Sequence, residues 1–208
     1  MAWRDLDDFL ERAEQRLDPI EGNRRLREGG DGDFLTTELK NNIRPAAVLI
    51  GVIPRAEGPT ALLTQRPDTM QAHAGQVAFP GGKIDPGDAT PVAAALREAE
   101  EEVGVDPARV TLVAQSSDYL TGTGFRITPV VGVLPADFQP IPDATEVAAV
   151  FETPLSFLMD PANHQTGKAF YRGKLRRYYE MPHGGFRIWG VTAGIIKTLY
   201  DTLYLPRD

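Results

Sequence analysis

At 208 residues, 42% of them hydrophobic, the chain has apolar material for one compact domain of ordinary soluble composition. It contains no cysteine, which excludes a disulfide framework, a thiolate metal site and a cysteine nucleophile. A formal net charge of −7 argues against general nucleic-acid binding, which relies on a basic surface.

No apolar run approaches the roughly 20 residues that span a bilayer. The N-terminal segment MAWRDLDDFLERAEQRL is acidic and resembles neither a secretory signal nor a transit peptide. The C-terminal YLPRD carries no peroxisomal address. The expectation is a cytoplasmic protein with neither a membrane nor a nucleic acid as partner.

Residues 3–17 place Trp3, Leu6, Phe9, Leu10, Ala13 and Leu17 at helical spacing. This predicts an amphipathic helix that docks on its own domain or on the second subunit of a homodimer. Residues 22–42 are polar and glycine-rich and read as a linker or mobile loop. The chain therefore divides into an N-terminal helix and linker over 1–43 and a main domain over 44–208. Strands are predicted at 46–53 and 61–65, forming a hairpin across RAEGPT.

The segment 90–105 predicts a helix with defined ends. Thr90 is the N-cap, Pro91 sits at the first helical position, and Gly104 supplies the left-handed residue past the C-terminus. Val92, Ala95, Leu96, Ala99 and Val103 form its core stripe. Glu98, Glu101 and Glu102 lie at i, i+3 and i+4, beside that stripe, where an edge suits a cleft wall. Three like charges packed together call for a cation, and all-oxygen donors suit Mg²⁺ or Mn²⁺. Glu100 falls away from the three and reads as solvated.

Farther on, strands are expected at 110–115, 126–134 and 146–152, with Pro129 marking an edge strand or a bulge. A short helix covers 154–159. Residues 169–179 and 186–189 read as a closing antiparallel pair, and an amphipathic helix covers roughly 191–204. Irregular interleaving of strands and helices predicts an α+β arrangement, a mixed sheet flanked by helices.

The run GGKIDPGD…LREAEEEVGV resembles the Nudix box, G-x5-E-x7-R-E-U-x-E-E-x-G-U with U a bulky aliphatic. It matches from Arg97 to Val105, with Ala99 smaller than usual. The first half is one residue longer, and Asp88 stands where the isolated Glu is expected. Ahead of it, LLTQRPDTMQAHAGQVAFPGG resembles the LLTxR[SA]x3Rx3Gx3FPGG signature of Nudix coenzyme A diphosphatases. Leu62, Leu63, Thr64, Arg66, Gly75 and Phe79-Pro80-Gly81-Gly82 are in register, whereas Pro67 and Gln71 differ.

The resemblance implies an α/β/α sandwich of the Nudix type. It further implies Mg²⁺- or Mn²⁺-dependent hydrolysis of a small nucleotide, coenzyme A or a derivative, to 3′,5′-ADP and 4′-phosphopantetheine. Carried over by position, Glu98, Glu101 and Glu102 are metal ligands, joined by the Gly81 carbonyl. Glu98 orients or deprotonates the attacking water, and Glu146 is the further acid from outside the box. Arg97 braces the ligands, pairing with Glu101 at i+4. Arg66 is the leading phosphate contact, with Lys83 and Arg126 as weaker candidates. Gly81 and Gly82 form a turn that lets backbone approach metal and phosphate closely. The basic run from Lys168 to Arg177 is a solvated strand face or a seat for the 3′-phosphate.

Two other functions remain in view. One keeps the fold and metal but acts on ADP-ribose, NADH or another nucleoside diphosphate derivative, which the missing arginine at Gln71 would favour. The other is a non-catalytic nucleotide-binding module, against which the intact Glu98, Glu101 and Glu102 speak.

Overall fold

The structure is a computed structural model that describes residues 5–22, 28–69, 74–171 and 173–206. Trp3, Gln71, His73 and Arg172 lie outside the described residues. Its centre is a long strand, β2 (Arg44–Arg55), whose apolar run is buried on both sides. Alternation sends Ala47, Leu49 and Ile53 to one face and Ile50 and Val52 to the other. β3 (Gly58–Gln65) returns antiparallel to it and splits in the same way, Leu62 against Ala61 and Leu63.

Around this hairpin the other strands assemble β4 (Val77–Ala78), β5 (Gly81–Lys83), β6 (Thr111–Gln115), β7 (Asp118–Leu120), β8 (Phe125–Val133) and β9 (Ala149–Pro154). With β1 (Glu28–Gly30) they make one mixed sheet of order β1-β7-β8-β2-β3-β4. β5 pairs with β2, β6 with β8 and β9 with β3. The β2–β8 and β1–β7 pairs are parallel and the rest antiparallel.

Helix α3 (Pro91–Val103) covers the Leu49 face. On the Ile50 face lie α1 (Leu6–Arg16) and α5 (Val191–Tyr204), whose apolar residues join one core cluster. The result is the helix–sheet–helix sandwich expected. The short helix α4 (Leu155–Leu158) leads to a second sheet, β10 (Gln165–Tyr171), β11 (Lys174–His183) and β12 (Phe186–Trp189), all antiparallel.

Three expectations change. Residues 28–42 are structured: β1 joins the sheet, and α2 (Thr37–Asn41) is capped by the Thr36 side chain, which accepts from the Leu39 N–H. Polar composition hid this because β1 is three residues long and has no periodicity. Second, Pro129 lies on an interior strand, β8, between β2 and the β6/β7 pair. Its missing N–H is tolerated because the partner side is interrupted between β6 and β7, where the Ser116 N–H donates to the Pro129 carbonyl. Third, the run 169–179 is two strands, not one. It reverses at Gly173, whose φ of 75° is open to glycine.

α1 docks on its own domain. Phe9 and Ala13 are fully buried in the core cluster shared with α5. The chain after it is held by reciprocal backbone bonds between Asp18 and Gln115, 2.9 and 2.8 Å. Among the described residues, no helix is long and apolar enough to cross a membrane.

Candidate active site

The ends of α3 form as their residue types dictate. The Thr90 hydroxyl accepts from the Ala93 N–H, Pro91 opens the helix, and Gly104 takes φ 71° and donates to the Glu100 carbonyl. The core stripe is buried at Val92, Ala95, Ala99 and Val103, while Glu100 is exposed. Fixed at both ends and along one stripe, the helix has no freedom to rotate its glutamates away from the loop at β5.

Two adjacent glycines in β5 set how close that loop comes. Gly81 has φ 155°, and a Cβ there would lie 2.3 Å from the Ala47 carbonyl oxygen and 2.6 Å from the Val48 Cα. Its N–H donates to Glu102 Oε2 at 3.3 Å. At Gly82 a Cβ would lie 2.5 Å from the carboxylate of Glu98. The first glycine serves the backbone path, and the second makes room for a carboxylate.

Arg97 sits at the hub of the acidic residues. Its Nε and Nη2 donate to the two Asp88 oxygens, both at 3.0 Å, its Nη1 meets Glu101 at 2.9 Å, and its Nη2 meets Glu98 at 3.1 Å. Nη2 also donates to the Lys83 carbonyl at 3.2 Å, tying the helix to the β5 loop. Asp88 holds the turn as well, by accepting from the Asp85 N–H at 2.8 Å. The Arg97 guanidinium and that backbone N–H together keep the Asp88 carboxyl below its ordinary range.

The carboxylates divide by environment. Glu102 is 5% exposed, and burial pushes its pKa up to about 7 against the relief of the Gly81 N–H, with Glu98 and Glu146 adding to the rise. Burial also raises Glu98, countered by Arg97 and reinforced by Glu101 and Glu146. Glu146, on an exposed turn before β9, is thus brought to the two box glutamates that face the sheet. Glu101 is drawn outward by Arg97 and its side chain stays 60% exposed. Among the described residues no three acidic or histidine side chains are already gathered at metal-ligating spacing.

Arg66 is the cation that acts on Glu102, and its Nε is buried without a hydrogen-bond partner. It stands at the end of β3, held by backbone bonds to Gln76 and Gly75. The Lys83 side chain is exposed, and Arg126 lies on β8 beside Pro45. Neither is among the charges that dominate Glu98 or Glu102. Of the histidines, His164 is half-buried with its Nε2 2.7 Å from the Leu158 carbonyl, and His183 lies against the Phe157 ring. Asp88 is what the sequence understated: nine positions from Arg97, beyond any helical periodicity, it is that residue's bidentate partner.

The sequence profile of the NUDIX domain matches residues 43–171, a span that runs from the start of β2 through the box to β10. The chain belongs to the Nudix hydrolase family. An uncharacterized Nudix hydrolase, NudL, of Citrobacter koseri is 41% identical over 194 residues, covering 93% of this chain and 92% of that one. NudL of Escherichia coli K12 is 43% identical over 158 residues, covering 76% and 82%. Among solved structures, a Nudix hydrolase of Alicyclobacillus acidocaldarius aligns with a TM-score of 0.48 at 21% identity, over 56% of this chain and 81% of that one.

As a Nudix hydrolase, the protein cleaves phosphorus-containing anhydrides, and the family acts on nucleoside diphosphate derivatives with divalent metals such as Mg²⁺ or Mn²⁺. The residues present fit such an ion. Glu98 and Glu102, with Glu146 acting on both, offer carboxylate oxygens as donors, the choice of a hard cation. Like charges from Glu98 and Glu146 raise Glu102, a repulsion that a cation would relieve.

Proposed function

We propose that this Nudix hydrolase cleaves the diphosphate linkage of coenzyme A or its derivatives, giving 3′,5′-ADP and 4′-phosphopantetheine or its acyl form. The observation that carries the reading is the meeting of two motifs. Arg66, from the segment that resembles the coenzyme A diphosphatase signature, acts on Glu102 of the box, and its buried Nε has no partner.

In this reading Glu98 and Glu102, with Glu101 and Glu146 at the rim and the Gly81 carbonyl beside them, hold the ion. When bound, Mg²⁺ or Mn²⁺ neutralises charge on the diphosphate and acidifies water. Glu98 orients the attacking water and takes its proton. Water oxygen adds to one phosphorus, and the bridging P–O bond breaks toward the other. The Arg66 fork meets the phosphate oxygens, for which a guanidinium is suited in shape and charge. Arg97, anchored on Asp88, keeps Glu98 and Glu101 from relaxing apart, and the bare Cα of Gly82 leaves Glu98 its place.

The alternative substrate class, ADP-ribose, NADH or a similar nucleoside diphosphate derivative, is favoured by one feature, Gln71 in place of the signature's second arginine. The test compares kcat/KM for coenzyme A, 3′-dephospho-coenzyme A, ADP-ribose and NADH with Mg²⁺ and with Mn²⁺. Coenzyme A is expected to lead, with 3′,5′-ADP among the products. Equal or lower turnover of coenzyme A would sink the reading.

A further inference from the structure

A second polar cleft of about 550 Å³ opens on the other side of the sheet from α3, between β1, β7, the start of α5 and the β10–β11 hairpin. Three directly opposed pairs of hairpin residues line it, Gly167 and Tyr178 between two others. Thr166 stands across from Tyr179, and Lys168 across from Arg177. Antiparallel partners share a face, so these four side chains belong to one surface of the hairpin.

The Lys168–Arg177 pair is anomalous. Like charges directly opposite on neighbouring strands repel, and such positions favour opposite charges or apolar groups. Among the described residues neither cation has a carboxylate partner. Glu180 is taken by Arg187 at 2.6 Å. Asp31, the carboxylate on the cleft wall, is taken by Arg176 through both its Nε and Nη2. Both side chains are exposed, so within the described chain only solvent screens the pair, in a protein of net charge −7.

The rest of the lining supplies hydrogen-bond donors. Thr166 and Tyr179 present hydroxyls beside the two cations, and Tyr119 faces them from β7. Burial, reinforced by Asp31, pushes the Tyr119 phenol well above its ordinary value; its O–H is held by the Asp31 carboxylate, which leaves the donors of the cleft to Thr166 and Tyr179. Two cations with adjoining neutral donors are the complement of a compact dianion with several acceptor oxygens.

We propose that this cleft binds a phosphate monoester, held between Lys168 and Arg177 with Thr166 and Tyr179 donating to it. Its position relative to the glutamates follows from sheet register. Tyr119, Ile127, Ala46 and Lys83 lie in one row across β7, β8, β2 and β5. Three strand steps, roughly 14 Å, separate Tyr119 from the loop that carries Gly81 and Gly82. The 3′- and 5′-phosphates of one nucleotide are joined through a single ribose by a few bonds, too short a reach to span that distance from the far face of the sheet. The monoester therefore belongs to a phosphate-bearing molecule separate from one engaged at the glutamates.

The experiment titrates the full-length, metal-free protein with 3′,5′-ADP and with inorganic phosphate by calorimetry, for the wild type, Lys168→Gln, Arg177→Gln and the double variant. Wild type is expected to bind, each single variant to bind about tenfold more weakly, and the interaction to weaken with salt. Circular dichroism and thermal melts check that the exposed substitutions leave the fold unchanged. Steady-state kinetics then check that the ligand is a separate molecule: weakened binding with an unaltered KM for coenzyme A is the expected result. A raised KM for coenzyme A with no change for dephospho-coenzyme A would place a substrate group in the cleft and overturn that assignment. Absence of binding by wild type at millimolar ligand, or equal binding by the folded double variant, overturns the proposal.

Discussion

Asp88 grips Arg97 by two parallel hydrogen bonds of 3.0 Å, and Arg97 spends its remaining reach on Glu98, Glu101 and the Lys83 carbonyl. The glutamate cluster is thus anchored through one arginine to a turn outside the helix. Asp88→Ala is expected to leave the fold intact while lowering metal-dependent turnover about 10- to 100-fold, the range for losing an orienting partner of ligands. Turnover with added Mn²⁺ is the measurement, and unchanged kcat at every metal concentration would show that Arg97 is positioned without Asp88.

Gly81 and Gly82 are expected to respond differently to alanine. At Gly81 the new Cβ meets backbone atoms of Ala47 and Val48 at positive φ, so Gly81→Ala should destabilise by a few kcal/mol. At Gly82 its three nearest neighbours are all atoms of the Glu98 carboxylate, the end of a side chain that can swing aside. Gly82→Ala should therefore cost stability about 1 kcal/mol or less yet reduce turnover strongly. Urea melts and kinetics on the two variants check this, and the opposite ranking would refute the division of labour.

Glu102 gives a signed pH dependence. Its folded pKa of about 7 lies above the ordinary carboxyl value of 4.5, so the folded state holds a proton that the unfolded state has released. In the metal-free protein this term is most favourable below about pH 4.5 and is lost as pH rises to about 7, a swing of order 3 kcal/mol. Glu102→Gln should abolish the swing, so the stability difference between the two proteins should change with pH across that window. Mg²⁺ binding at pH 6 should release close to one proton, and little at pH 8, measurable by calorimetry in two buffers. The same variant should lose turnover by about a hundredfold or more. A proton count near zero at pH 6 would contradict the environment assigned to Glu102.

Phe9 is fully buried between α1 and the α5 side of the sheet. Phe9→Ala should cost about 3–5 kcal/mol, as for large core truncations. A chemical denaturation midpoint close to wild type would mean that α1 packs loosely.

What could be read from sequence depended on how local the determinants were. The bounds of α3 rest on Thr90, Pro91 and Gly104, each acting on its own neighbours, and they came through intact. So did the hairpin of β2 and β3, because two apolar runs flank a short glycine-containing turn. The reversal at Gly173 was missed because aromatic residues on both sides of it hid one glycine inside a strand-like run. Periodicity placed Glu98, Glu101 and Glu102 on one edge of the helix and paired Arg97 with Glu101, but was silent on Asp88, which anchors Arg97, and on Gly81, which draws Glu102 in. The Asp31–Arg176 pair joins residues 145 positions apart, and only the fold could reveal it.

The strand Glu28–Gly30 lies at the outer end of the main sheet, where its backbone occupies the hydrogen-bonding groups that β7 would otherwise leave open. An unpaired strand edge invites another chain to add to it. Removing the first 43 residues would therefore do more than delete a helix from the core. It would also strip β7 of its parallel neighbour and move the open edge of the sheet from the three residues of β1 inward onto β7.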